Sequence, residues 1–227
     1  MFFGKKKAIT FSYDDGVLQD RRLVEILNKY GLKATFNINS ELLGTKNTLN
    51  IKGKEIMHDK ISADEVASLY AGHEVAVHTL THPTLTWIDD NEIIRQVEED
   101  RKNLSRLVGY EVIGMAYPGG GFQNSDRVEN VIKNHTGVKY SRTISLSYSF
   151  KEQSDIFRYK PTAYHLDFAI NYKLADEFFA ADEGIFYIWG HSYEFDVDDT
   201  WAEFEKFCEY ISNKPDVYYG TNKEIII

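Results

Sequence analysis

The chain carries a single cysteine, Cys208, so no intrachain disulfide can form and nothing in its composition favours an oxidising compartment. No stretch approaches the roughly 20 apolar residues that a membrane-spanning helix needs, so no membrane partner is expected. Internal repeats and low-complexity segments are also missing. Basic residues are in the minority: 26 Lys and Arg stand against 35 Asp and Glu, a formal net charge of -9. That balance removes nucleic acid as a principal partner, because phosphate binding needs a basic footprint. The first residues, Met1-Phe2-Phe3-Gly4-Lys5-Lys6-Lys7, run apolar then basic, the reverse of a secretory signal. A cytoplasmic location is therefore the expectation.

What is present is an ordinary globular mixture. Apolar residues make up 43% and charged residues 27% of 227 positions, too apolar for disorder and enough to build a core without staples. The aromatic residues, 15 Tyr and 14 Phe among them, are assigned first to that core and only second to a carbohydrate cleft. Cys208 shares the apolar helical series Trp201, Phe204, Phe207 and Ile211, which makes it a buried thiol.

Short β-like runs alternate with helical periodicity along the chain. Strands are expected over residues 8–12, 34–38, 74–77, 112–116, 138–143, 157–162 and 185–189. Helices are expected over 18–30, 63–71, 89–108, 125–133, 171–179 and 201–211. The polar stretch 43–60 reads as an excursion over the surface. About seven β/α alternations in one domain, residues 1–227, predict an α/β fold with a parallel sheet, either open or closed into a barrel.

In either form, reactive groups belong at the C-terminal ends of the strands. Four sets of polar or glycine-rich residues fall there: Asp14-Asp15-Gly16, His78-Thr79-Leu80-Thr81-His82-Pro83, Tyr117-Pro118-Gly119-Gly120-Gly121 and Trp189-Gly190-His191. Taken alone, Asp-Asp-Gly is ordinary turn chemistry and His-x3-His is as often a surface pair as a ligand pair. On one rim together, two imidazoles and a carboxylate form a facial set that leaves metal positions open.

In these residues the chain resembles the polysaccharide deacetylases. Ser12-Tyr13-Asp14-Asp15-Gly16 is similar to the family's first motif, and His78-Thr79-Leu80-Thr81-His82 matches its His-Ser/Thr-x-x-His motif in full. Ala116-Tyr117-Pro118-Gly119-Gly120 resembles the third, and Phe186 to His191 the late strand ending in histidine. The resemblance implies a distorted (β/α)7-type barrel of parallel strands that removes acetyl groups from sugars, N-linked more than O-linked. It implies Asp15, His78 and His82 as metal ligands, Asp14 as general base, His191 as general acid and the Gly119 N–H as an oxyanion donor. Zinc suits the donor set best, with Co2+, Ni2+ or Fe2+ as alternatives, and the partner would be an acetylated saccharide or glycoconjugate.

Two departures stand out. The family's third motif opens with an arginine that steadies the catalytic aspartate, and Ala116 takes that place here. Its loss would raise the pKa of Asp14 unless Arg142, at the end of the next strand, reaches the same carboxylate; a plain surface arginine is the competing assignment. The fourth motif, which orients the catalytic histidine, has no match, leaving Asp167 or Glu194 as candidates for that task. His165 is either a further rim residue or a buried histidine. Two other functions share this pattern: hydrolysis of cyclic amides or ureides on the same scaffold, and a catalytically silent saccharide-binding domain.

Overall fold

β1 (Lys7–Asp14) is buried along its whole length, as expected of a parallel strand flanked on both edges and covered on both faces. β9 (Gly184–Gly190) pairs along one edge, Lys7 opposite Gly184 through Tyr13 opposite Gly190. The other edge is shared, with β10 (Val217–Tyr219) beside Lys7–Ile9 and β2 (Ala34–Ile38) beside Phe11–Asp14. The computed structural model describes residues 1–227, of which residues 121–122 are described by their backbone alone.

The sheet continues from β2 to β5 (Glu74–Val77), β6 (Gly114–Ala116) and β7 (Tyr140–Arg142), and from β9 to β8 (Ala163–Tyr164). Every pairing in it is parallel. Seven strands thus run round a curled sheet in the order β7-β6-β5-β2-β1-β9-β8, with β10 forked onto β1. This is the distorted (β/α) barrel, in one domain.

The expected strand over 157–162 is not formed. Asp155 Oδ1 accepts the N–H groups of Phe157 and Arg158, a local turn that competes with the ladder, and Pro161 has no N–H to offer. Tyr159 makes one isolated bridge to Arg142, donating to Ser141 O at 3.0 Å and accepting from Thr143 N at 2.9 Å. Only Ala163 and Tyr164 join the ladder beside β9. Ser141 N also donates to Ile156 O at 2.9 Å, so a few local hydrogen bonds hold this segment against β7.

Helices α1 (Asp20–Lys29), α2 (Val66–Leu69), α3 (Asp90–Ile94), α4 (Asp100–Val108), α5 (Asp126–His135), α6 (Phe168–Ala180), α7 (Glu194–Asp198), α8 (Trp201–Ile211) and α9 (Asn222–Ile226) pack around the sheet. The helix expected over 89–108 is interrupted, since α3 passes into α4 through a wide π turn at Arg95–Glu99. α8 turns Phe204 onto the rings of Phe11, Tyr13 and Phe195, and Cys208 is fully buried on the same face. Aromatic rings therefore fill the core, as composition suggested. No helix among the described residues is long and apolar enough to cross a membrane.

The stretch 43–60 needs correction. It folds into an antiparallel hairpin, β3 (Thr48–Ile51) and β4 (Lys54–Met57), with Lys52 and Gly53 both at positive φ, 52° and 77°. Both central residues left-handed is the turn that matches strand twist, and glycine takes the second place without a steric penalty. The hairpin itself is mostly exposed, but the chain beyond it turns inward, and His58 and Lys60 are buried.

Candidate metal and proton-transfer site

Because all the barrel strands are parallel, their C-terminal ends share one rim. Asp14 closes β1, His78 follows β5, Tyr117 follows β6, Arg142 closes β7, and His191 follows β9. The residues singled out from the sequence arrive there from five separate strands.

Asp15, His78 and His82 bring one ligand atom each within 4.8 Å of one another. His78 Nε2 and His82 Nε2 both lie 3.9 Å from Asp15 Oδ1. His78 Nδ1 donates to the Ala116 carbonyl at 2.9 Å, so the lone pair sits on Nε2, facing the carboxylate. Burial lowers the His78 pKa to about 4, which keeps the ring neutral as a ligand must be. Burial would raise Asp15, but the His58 hydrogen bond and the Lys60 charge hold it well below the usual carboxylate range. A divalent cation fits this donor set: an ionised carboxylate and two imidazoles with free lone pairs converge, and His82, about one-third exposed, opens the group to solvent.

The loop that carries the two histidines is bent sharply, with Thr79 at φ 69° and His82 at φ 58°. Left-handed backbone at non-glycine residues costs roughly 1–3 kcal/mol each and persists only where the surroundings hold it. Here Asn39 Nδ2 donates to the His78 and Thr79 carbonyls, at 2.6 and 2.9 Å, and Asp100 accepts the His78 N–H at 3.2 Å. The π turn supplies the rest. It frees the Gln96 carbonyl to accept Leu80 N–H at 3.0 Å, while the Gln96 side chain accepts Thr81 N–H at 3.1 Å. A wide turn in a helix is a recurrent device at functional sites, and here its use is visible.

Asp14 is buried beside this group. Arg142, itself fully buried, donates through Nη2 to both Asp14 oxygens and through Nε to Ser12 Oγ at 3.2 Å. Its Cζ lies 4.8 Å from the centroid of the Trp189 ring. Asn37 Nδ2 adds a further bond to Asp14 Oδ1 at 2.9 Å. Burial pushes the Asp14 pKa up most strongly, yet the Arg142 charge and hydrogen bond together with His78 and His191 outweigh it and leave the carboxyl below its ordinary value. The guanidinium that Ala116 cannot supply thus reaches the carboxylate from the neighbouring strand.

His191 Nε2 stands 4.0 Å from Asp14 Oδ2. Its other nitrogen, Nδ1, is 3.2 Å from Glu194 Oε2, and its backbone N–H donates to the same oxygen at 3.0 Å. Desolvation lowers the imidazolium, but Glu194 and the two aspartates prevail and raise its pKa to about 9. Glu194, not Asp167, is therefore the carboxylate beside His191. His165 is fully buried and donates from Nε2 to Glu194 Oε2 at 2.8 Å, so it stands behind the acid and off the rim. Gly119 follows β6 at φ 70°, a left-handed conformation that glycine takes without a steric penalty.

Sequence reasoning missed His58 and Lys60. No motif spacing marks them; the one signal was the Lys52-Gly53 turn, which announces a hairpin whose ends must return to the fold.

The profile described as polysaccharide deacetylase matches residues 4–141, more than half of the chain and inclusive of the first three motifs. The chain belongs to the polysaccharide deacetylase family. Solved polysaccharide deacetylase relatives share its fold at low identity. A structure from Mycobacterium smegmatis described as a polysaccharide deacetylase has a TM-score of 0.67 at 14% identity, over 98% of this chain and 90% of that one. A Streptococcus pyogenes deacetylase solved with acetate gives 0.53 at 18% identity, over 65% of this chain and 60% of that one. A Bacillus anthracis pseudoenzyme of carbohydrate esterase family 4 gives 0.57 at 18%, over 98% of this chain and 66% of that one. The chain thus spans about two thirds or less of the length of the latter two. No curated protein matches it.

Proposed function

We propose that this chain is a metal-dependent hydrolase that removes an N-linked acetyl group from a saccharide or glycoconjugate. The observation that carries this reading is the placement of Asp14 and His191, 4.0 Å apart, beside the converging atoms of Asp15, His78 and His82. A base, an acid and a ligand set occupy one rim.

Asp15, His78 and His82 would hold the ion, zinc being the best match to two imidazoles and a carboxylate. When bound, it supplies Lewis-acid polarisation of the acetyl carbonyl and brings water to a useful pKa. Asp14, kept ionised by Arg142, takes a proton from the attacking water. The Gly119 N–H donates to the developing oxyanion. His191, held protonated by its three carboxylate neighbours, gives the Nε2 proton to the leaving nitrogen. An amine cannot depart as its anion, so an acid poised in the protonated form suits an amide more than an ester.

A silent binding domain has no need of a buried Arg142–Asp14 pair or of a carboxylate behind His191. Zinc-loaded protein should release acetate from N-acetylglucosamine oligomers and contain about one equivalent of metal. In His78→Ala and His82→Ala both should be lost. Absence of specific metal from the wild type after zinc loading would refute the proposal.

A further inference from the structure

The return of the β3–β4 hairpin crosses the metal carboxylate at close quarters. Asp15 has a φ of 83°, left-handed for a residue with a Cβ, and it needs bracing. The segment from His58 to Ile61 runs antiparallel against it: Leu18 N donates to Asp59 O at 2.9 Å, Ile61 N to Gly16 O at 3.0 Å, and Lys60 Nζ to Asp15 O at 2.8 Å. His58 Nε2 lies 3.1 Å from Asp15 Oδ2. Both residues are buried, His58 at 8% and Lys60 at 7% exposure, and Tyr193 packs edge-on against the His58 ring at 4.9 Å.

The two carboxylate oxygens therefore face different partners. Oδ1 looks to His78 and His82, 3.9 Å from each, with Lys60 Nζ beside it at 3.6 Å, while Oδ2 is taken by His58. Atoms bound to one ion at about 2.0–2.2 Å lie within roughly 4.4 Å of each other. His58 stands outside the group whose atoms meet within 4.8 Å. A carboxylate oxygen can only accept, so the His58 Nε2 that faces it carries the hydrogen and is not available as a ligand.

Resting on the metal-site reading above, we infer that His58, with Lys60, is a positioning residue for the metal carboxylate: it anchors Oδ2 so that Oδ1 is presented to the ion. The hairpin that delivers it is itself fastened to the acid side of the site. Lys54 donates to the Val197 carbonyl, and Gln19 Nε2 bonds both Met57 O at 2.8 Å and Asp196 Oδ2 at 2.9 Å. One excursion of chain thus ties the ligand set to α7, the helix that begins with Glu194.

The test is Zn2+ affinity by chelator competition on the full chain, for wild type, His58→Leu, His58→Gln and His78→Ala. Leucine keeps bulk without a donor, whereas glutamine keeps an N–H. Removing such an outer partner typically weakens binding by about 10- to 100-fold. His58→Leu should show that loss and His58→Gln should recover most of it, with His78→Ala abolishing tight binding. Co2+ absorption bands should keep their shape in both His58 variants. Wild-type affinity in His58→Leu, with His78→Ala still defective, would overturn this inference and leave the metal site standing. Altered Co2+ bands in both His58 variants would make His58 a ligand and overturn it too. Failure of the wild type to bind either ion would instead strike at the metal-site reading. If His58→Leu does not fold, His58→Gln decides against His58→Phe, which fills the cavity without a donor: equal affinity of the two overturns the inference.

Discussion

A single buried guanidinium decides whether Asp14 can work. Removing one partner of a buried ion pair leaves an uncompensated charge, at a cost of about 3–5 kcal/mol. Arg142→Ala should therefore lower stability by that order in urea unfolding and reduce kcat by at least about tenfold, since base catalysis typically supplies 10²–10⁴. Arg142→Lys should recover little, because a point charge cannot replace a planar group that reaches both Asp14 oxygens and Ser12 at once. His191 has a pH signature. Its folded pKa is raised, so the proton it must donate is present at low pH and lost as pH rises. The basic limb of kcat should fall at or below about 9, a cation at Asp15 opposing the imidazolium. Glu194→Gln should move that limb to lower pH, and a limb that stayed in place would deny Glu194 its part. The gathering of Asp14, Asp15, His78, His82 and His191 on one rim was legible because residue type and strand-end position coincide, whereas the roles proposed for them came from the resemblance. Arg142 was legible only as one of two assignments, because sequence order says nothing of reach between adjacent strands. His58 was announced only by the Lys52-Gly53 turn that returns its segment to the fold, since a histidine facing a neighbour's carboxylate obeys no spacing rule.

At the scale of the element, the π turn at Arg95–Glu99 does what a regular helix could not. A regular helix would keep the Gln96 carbonyl within its own ladder and leave Leu80 N–H without a partner. Gln96→Ala would keep that carbonyl but leave the Thr81 N–H without its side-chain partner, a loss of about 1–3 kcal/mol. It should also weaken Zn2+ binding, because the strained Thr79 and His82 backbone would be less firmly held. A melting temperature and metal affinity both equal to wild type would show that the Gln96 side chain is incidental to the loop. Periodicity gave the correct span for this helix but could not show the inserted turn, which shifts the apolar stripe by only one residue. It was similarly blind to α9 and β10, too short to establish a period, and it placed a strand over 157–162 where an Asx turn and a proline leave only one bridge.

For the whole molecule, the consequence of a curled parallel sheet is a core that runs unbroken from α8 to the rim. Phe204 touches Phe11, Tyr13 and Phe195, and Phe195 packs on His165, which bonds Glu194. Phe204→Leu should cost stability in proportion to the cavity left, less than the roughly 3–5 kcal/mol of a full Phe→Ala truncation, and be read as a lower urea midpoint. The alternation of strands and helices predicted a parallel sheet and the resemblance its barrel form, whereas the link from β7 to residues 156–159 depends on local hydrogen bonds that no alternation encodes. The same core encloses Cys208, fully buried and with its thiol pushed up by that burial. As the sole sulfhydryl of the chain, it is a natural stopwatch: a thiol-specific reagent can reach it only when the barrel opens, so its labelling rate would time that opening without any dye or engineered probe.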